Sequence, residues 1–164
     1  MKLFCPFTKV EKQEDGTLYV EGVASSEARD ADGEIITAEA MQKAIPGFLR
    51  ADGTGPVREM HALKAAGKTV EVWIDKAKRT RVSAVVVDSE AVKKVETGVY
   101  QGFSVGGKAL ARDAADPTVI TELKWVELSL VDRGSNPDAV ISLWKAEAMP
   151  ETKPQRPFVQ LASL

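Results

Sequence analysis

A serine framed by glycines is the residue of this sequence best suited to nucleophilic chemistry. The run Gly102-Phe103-Ser104-Val105-Gly106 matches the pattern G-x-S-x-G. Small flanking residues let a substrate backbone approach the hydroxyl and leave space for a tetrahedral intermediate. A glycine-rich strand with an ordinary serine has the same appearance, so the motif acquires meaning only together with a base.

The base is sought in the single histidine of the chain, His61. A serine hydroxyl is a weak nucleophile until a neighbouring base takes its proton. In a histidine-dependent enzyme, His61 is that base and precedes Ser104. The α/β-hydrolases have the opposite order and need βαβ units that this sequence lacks, so that class is excluded. Two alternatives stay open: His61 has a purely structural role, or a lysine acts as the base. Because no S-x-x-K motif begins at Ser104, such a lysine would have to come from elsewhere in the chain.

A third participant would orient the imidazole and stabilise its positive charge. Glu127 interrupts the apolar run 119–131. A carboxylate in such a strand is costly unless it is paired. Glu127 and Ser129 are two residues apart and therefore share one face of the strand, whereas Leu128 points to the other. Glu127 is therefore one candidate for the partner of His61, and a carboxylate on a solvated strand face is the alternative.

The elements that must position these residues are mainly strands. Strands are predicted at residues 2–10, 17–24, 57–62, 68–75, 81–87, 100–110 and 119–131, with a last short element at 139–144. One helix is predicted at 38–49 with Thr37 as its N-cap, and another runs from a capping Ser89 to about Thr97, ended by Gly98. The predicted fold class is mainly β, an antiparallel barrel flanked by a few α-helices.

Composition limits the class of protein further. A chain of 164 residues with 44% hydrophobic residues suits one domain with a real core. A net charge of −2 lacks the basic footprint of a nucleic-acid binder, so no direct nucleic-acid binding is expected. No apolar run approaches the ~20 residues that span a bilayer, so no membrane association is expected. Cys5 is the only cysteine and is predicted to be a buried, inert thiol.

Several short motifs follow one another along the chain: GVA at 22–24, DADGEII at 30–36, His61, GFSVG at 102–106, ELSLV at 127–131 and SNPDA at 135–139. Taken in this order, they resemble those of the prohead (capsid maturation) serine proteases of tailed phages. That family is related to the herpesvirus assembly proteases and to a protease-like domain of some prophage proteins. The last turn departs from the Pro-Ala-Asn type usual in the family.

The resemblance implies a herpesvirus-assemblin-like barrel, often dimeric, and a set of roles for particular residues. Ser104 matches the nucleophile, His61 the base and Glu127 the third position. By position, the backbone N–H groups of Arg133 and Gly134 are the expected oxyanion donors. The protease domain would cover residues 1–145, followed by a Pro-rich tail at 146–164. Neither a cofactor nor a metal is expected.

The function implied is that of a serine endopeptidase acting inside the immature capsid, in the host cytoplasm. Such enzymes cleave scaffold protein or the N-terminal extension of the capsid protein, and often themselves. The expected partners are therefore the major capsid protein, the scaffold protein and a second copy of the chain. Two alternatives stay open: an inactive, protease-derived structural or scaffolding subunit, and a different hydrolase such as an esterase.

Overall fold

The computed structural model describes residues 4–132. The elements in chain order are β1 (Cys5–Lys12), β2 (Leu18–Ser25), β3 (Ile35–Ile36), α1 (Ala38–Phe48), β4 (Pro56–Glu59), β5 (Ala65–Ile74), β6 (Thr80–Val86), α2 (Ser89–Glu96), β7 (Gly102–Arg112) and β8 (Val119–Val131). The predicted last element at 139–144, the end of the proposed domain and the Pro-rich tail lie outside the described residues.

Seven strands close into a barrel. They follow the order β8-β4-β5-β6-β2-β1-β7, and β7 pairs again with β8. β3 is a short addition that pairs with the beginning of β8. Most neighbours are antiparallel, but β3 and β4 run parallel to β8. The predicted barrel, mainly antiparallel and flanked by helices, is confirmed.

The barrel interior is apolar and tightly closed. Val20, Val82, Phe103 and Leu128, which come from four different strands, are each no more than 1% exposed. Burying a side chain of this size stabilises the folded state by roughly 1.5–3 kcal/mol. The alternation of side chains along each strand therefore decides which residues enter the core and which face outward.

Helix α1 covers the strand that carries the candidate carboxylate. The Thr37 side chain accepts a hydrogen bond from the Ala40 N–H at 3.1 Å, so the predicted N-cap is correct. At the other end, Phe48 stacks on Trp125 of β8 with ring centroids 3.9 Å apart. The helix thereby packs against β8 two residues before Glu127.

Helix α2 begins one residue earlier than predicted. Asp88 caps it, and its carboxylate accepts the Ala91 N–H at 3.0 Å, so the prediction of Ser89 as the cap is wrong. An ionised carboxylate at a helix start also interacts favourably with the helix dipole. Gly98, at φ 76°, ends the helix as predicted.

A buried carboxylate, Glu59, joins β4 to α2 and to the start of β7. It is 2% exposed, receives hydrogen bonds from Lys94 Nζ at 3.0 Å and Tyr100 Oη at 2.8 Å, and pairs with Lys64 Nζ at 2.9 Å. Burial raises the pKa of Glu59, but the hydrogen bonds from Lys64, Tyr100 and Lys94 outweigh it, so the pKa lies below its ordinary 4.5. Glu59 therefore anchors the strand end that precedes His61.

Acidification is expected to weaken the fold through Glu59. Because its pKa is lower in the folded state, its stabilisation is present above the unfolded-state pKa and is lost as pH falls through the folded-state pKa. Glu59→Gln should cost about 3 kcal/mol at neutral pH. The free energy of unfolding in urea should then fall less steeply for this variant than for wild type between about pH 7 and pH 3. An exposed control, Glu14→Gln, should follow the wild-type curve; a parallel fall for Glu59→Gln would contradict the assignment.

Candidate active site

Strand β7 presents Ser104 on the outer face of the barrel. Its neighbours Phe103 and Val105 are 0% and 1% exposed and belong to the core. Ser104 therefore points the other way, where it lies opposite Ser129 of β8. The nucleophile predicted from the glycine-framed motif is thus a largely buried side chain outside the barrel interior, 4% exposed.

A β-bulge in β8 turns Glu127 to the same face. Gly106 pairs with Glu127 and Gly107 with Trp125, so Val126 is an extra residue without an opposite partner. Before the bulge Trp125 points into the core, and after it Leu128 does so, although the two are three residues apart. Because the bulge shifts the alternation by one residue, Glu127 and Ser129 share the outer face with Ser104.

The turn after β4 carries the histidine. Met60 and His61 adopt left-handed backbone angles, with φ of 50° and 58°, which residues with a Cβ rarely do. The strand predicted at 57–62 therefore ends early, at Glu59, and His61 lies two residues beyond it. The Met60 N–H donates to the Leu130 carbonyl at 3.0 Å, which ties the turn to β8.

The three predicted side chains meet in a continuous hydrogen-bonded line. His61 Nε2 lies 2.9 Å from Ser104 Oγ, and His61 Nδ1 lies 2.5 Å from Glu127 Oε1. Glu127 is 4% exposed. A carboxylate accepts only, so we assign the proton to Nδ1, which leaves Nε2 free to accept the serine proton. The arrangement can therefore deprotonate Ser104 and stabilise the resulting imidazolium. Arg133 and Gly134, the expected oxyanion donors, lie outside the described residues.

An open cleft of about 420 Å³ adjoins the three hydrogen-bonded side chains on the side of His61 and Glu127. It is lined by Arg58, His61, Gly106, Gly107, Lys108, Val126 and Glu127. Sequence reasoning missed Arg58 and Lys108 as candidate binding residues. No motif marks them, and they come together only because β4 and β7 flank β8 on opposite sides.

Close contacts in the fold leave no room for a side chain at either glycine of the G-x-S-x-G motif, apart from the space that a substrate would need. A Cβ at Gly102 would stand 2.1 Å from the Cys5 carbonyl oxygen, where β1 closes the barrel. A Cβ at Gly106 would meet the Glu127 carboxylate and lie 3.0 Å from His61 Nδ1. Gly106 therefore makes room for the contact between the imidazole and its carboxylate.

Gly106→Ala is expected to slow the reaction of Ser104 at least about 100-fold, because the added methyl must displace Glu127 from His61. The measurement is the rate at which a fluorophosphonate forms a covalent adduct, followed by intact-protein mass spectrometry. Gly47→Ala, whose Cβ would enter open space in α1, is the matched control and should react like wild type. Equal rates for all three proteins would show that the space at Gly106 is not needed.

A second group of carboxylates lies in the loop before β3. Ligand oxygens of Asp30, Asp32 and Glu34 lie within 4.8 Å of one another. The Asp30 carboxylate accepts the backbone N–H groups of Asp32 and Glu34 at 3.0 and 2.8 Å, and Glu34 pairs with Arg112 at 2.5 Å. The hydrogen bond from Arg112 lowers the pKa of Glu34. These contacts give the group a role in shaping the loop.

The fold and the site together define a class: a closed β-barrel with serine, histidine and glutamate hydrogen-bonded in sequence on its outer face. No protein-family model and no curated protein sequence matches the chain. Its structure is similar to the solved structure of the bacteriophage T4 capsid assembly protease, with a TM-score of 0.62 and 14% sequence identity. The match covers 79% of this chain and 96% of that one, and at this identity it establishes a shared fold.

Neither helix within residues 4–132 has the length and apolar character needed to cross a membrane.

Proposed function

We propose that this protein is a serine endopeptidase of phage capsid maturation, with Ser104 as nucleophile, His61 as general base and Glu127 as the residue that orients His61. The observation that carries the proposal is the hydrogen-bonded line itself, 2.9 Å from Ser104 to His61 and 2.5 Å from His61 to Glu127. The distance from Ser104 to His61 lies within the range required of a nucleophile and its base, roughly 2.6–3.2 Å.

In the proposed mechanism, Ser104 Oγ attacks the carbonyl carbon of the scissile peptide bond while its proton passes to His61 Nε2. Glu127 stabilises the imidazolium through Nδ1–H. The imidazolium then donates the proton to the leaving nitrogen, and the peptide bond breaks to give an acyl-enzyme. Water, deprotonated by His61, hydrolyses the ester and restores Ser104. The backbone N–H groups of Arg133 and Gly134 are proposed to stabilise the oxyanion.

The free edge of β7 supports a polypeptide substrate over a small ester. β1 pairs with β7 only at Gly102 and Phe103. Within residues 4–132, no strand pairs with this edge from Ser104 to Arg112. An extended peptide can add to such an edge through main-chain hydrogen bonds, and this would carry its carbonyl groups past Ser104. The cleft beside His61 and Glu127 is open to solvent, so it does not restrict the substrate to a small molecule.

The shared fold supports placing this activity in capsid assembly. The proposed substrates are the scaffold protein, the N-terminal extension of the major capsid protein and the protease itself. The proposed location is the interior of the prohead, in the host cytoplasm, where the chain acts as a dimer. Proteolysis there would clear the shell interior before DNA enters.

The test is to co-express the chain with the capsid and scaffold proteins of the phage that encodes it and to weigh the products by mass spectrometry. We expect shortened products with wild type and none with Ser104→Ala. Identical masses in both would overturn the peptidase proposal and favour a protease-derived structural subunit.

A further inference from the structure

One hydroxyl outside the proposed mechanism contacts two parts of the site at once. Ser129 is 0% exposed. Its Oγ donates to Glu127 Oε2 at 2.6 Å and accepts the backbone N–H of His61 at 2.9 Å. A serine hydroxyl has one donor hydrogen and two acceptor lone pairs, so it can make both bonds at the same time.

The bond to Glu127 decides which carboxylate oxygen faces the imidazole. Oε2 is engaged by Ser129, and Oε1 lies against His61 Nδ1. Without the hydroxyl, the buried carboxylate would lose the donor that orients its plane. Rotation of the carboxylate would then lengthen or misalign the contact with Nδ1.

The hydrogen bond between the His61 N–H and the Ser129 hydroxyl stabilises an uncommon backbone conformation. Met60 and His61 both have positive φ, a conformation that costs free energy and persists only where surrounding contacts enforce it. Met60 is tied to the Leu130 carbonyl and His61 to the Ser129 hydroxyl, on adjacent residues of β8. The turn is thus fastened to the same strand that carries Glu127.

We propose that Ser129 is a positioning residue that sets the imidazole of His61 between Glu127 and Ser104 by fixing the carboxylate and the histidine backbone together. It acts through His61 and Glu127 and does not take part in proton transfer. The kinetic part of this proposal rests on the proposed peptidase function, whereas the positioning itself can be measured without any substrate.

The test compares the full chain as wild type, Ser129→Ala and Ser25→Ala. Ser25 is a matched control, since its hydroxyl is buried and has no hydrogen-bond partner within residues 4–132. Amide hydrogen exchange by NMR reports the backbone bond. In Ser129→Ala the His61 amide should exchange at least about tenfold faster, while the Met60 amide, bonded to Leu130, stays protected. Acceleration of both amides together would indicate general loosening and would overturn the proposal.

The imidazole is observed directly, because His61 is the only histidine. Its ring nitrogen signals should show a single tautomer with the proton on Nδ1 in wild type and Ser25→Ala, and a mixture in Ser129→Ala. The rate of adduct formation with a fluorophosphonate should fall roughly 10- to 100-fold in Ser129→Ala. Ser129→Thr, which keeps the hydroxyl, should recover the single tautomer and most of the rate.

The outcomes separate this proposal from the proposed function. Unchanged ring signals and exchange in Ser129→Ala would overturn the positioning role even if wild type cleaves capsid proteins. The expected NMR changes with a wild type that cleaves nothing would leave the positioning role standing and remove the peptidase. If Ser129→Ala does not fold, wild type alone decides: a His61 amide that exchanges as fast as the amide of exposed Leu63 overturns the proposal.

Discussion

Ser104→Ala is expected to lower kcat for peptide cleavage by about 10⁶-fold and leave the fold intact. The hydroxyl of Ser104 is the group that hydrogen-bonds to His61. Its removal takes away the nucleophile, but the barrel interior is unchanged because Ser104 faces outward. The loss should therefore appear in kcat, with thermal unfolding close to that of wild type.

A fluorophosphonate makes this test independent of the substrate. Wild type should gain the mass of one adduct, located on Ser104 by peptide mapping, and Ser104→Ala should gain none. His61→Ala should also fail to react, because without the base the hydroxyl keeps its proton. An adduct on another serine in Ser104→Ala, formed at the wild-type rate, would show that the nucleophile lies elsewhere.

Glu127→Gln has the second-largest expected effect, a loss of about 10⁴-fold in kcat. A glutamine amide at this place can turn its NH₂ group towards His61 Nδ1. Nδ1 would then accept, the proton would move to Nε2, and Nε2 could no longer take the proton of Ser104. The imidazolium would also lose its buried counter-charge. Some activity should remain, since imidazole and serine are both still present.

The measurement is kcat and KM on a cleaved capsid-protein peptide, with Glu122→Gln as control. Glu122 is an exposed carboxylate on the same strand, before the bulge. We expect KM to change little in either variant and kcat to fall only in Glu127→Gln, because the carboxylate acts on the base and not on the substrate. Full activity of Glu127→Gln would show that the Glu127 carboxylate is not needed to orient His61.

The sequence alone determined the local elements and the chemical candidates. β8 was predicted with its observed bounds, because the run 119–131 is long and rich in apolar residues. The cap at Thr37 and the stop at Gly98 were predicted correctly, since capping chemistry depends on neighbours in the chain. A chain with a single histidine leaves no choice of imidazole base.

Only the tertiary structure decided how the candidates meet. The parallel pairing of β4 with β8 brings the end of one strand, and with it His61, beside Ser104 and Glu127. The bulge at Val126 and the positive φ at His61 could not be predicted from neighbouring residues. Valine does not mark a bulge, and histidine, although commoner at positive φ than most residues, is rarely found there. Both conformations persist because barrel closure and hydrogen bonds to β8 compensate their cost, and such long-range contacts cannot be read from neighbouring residues.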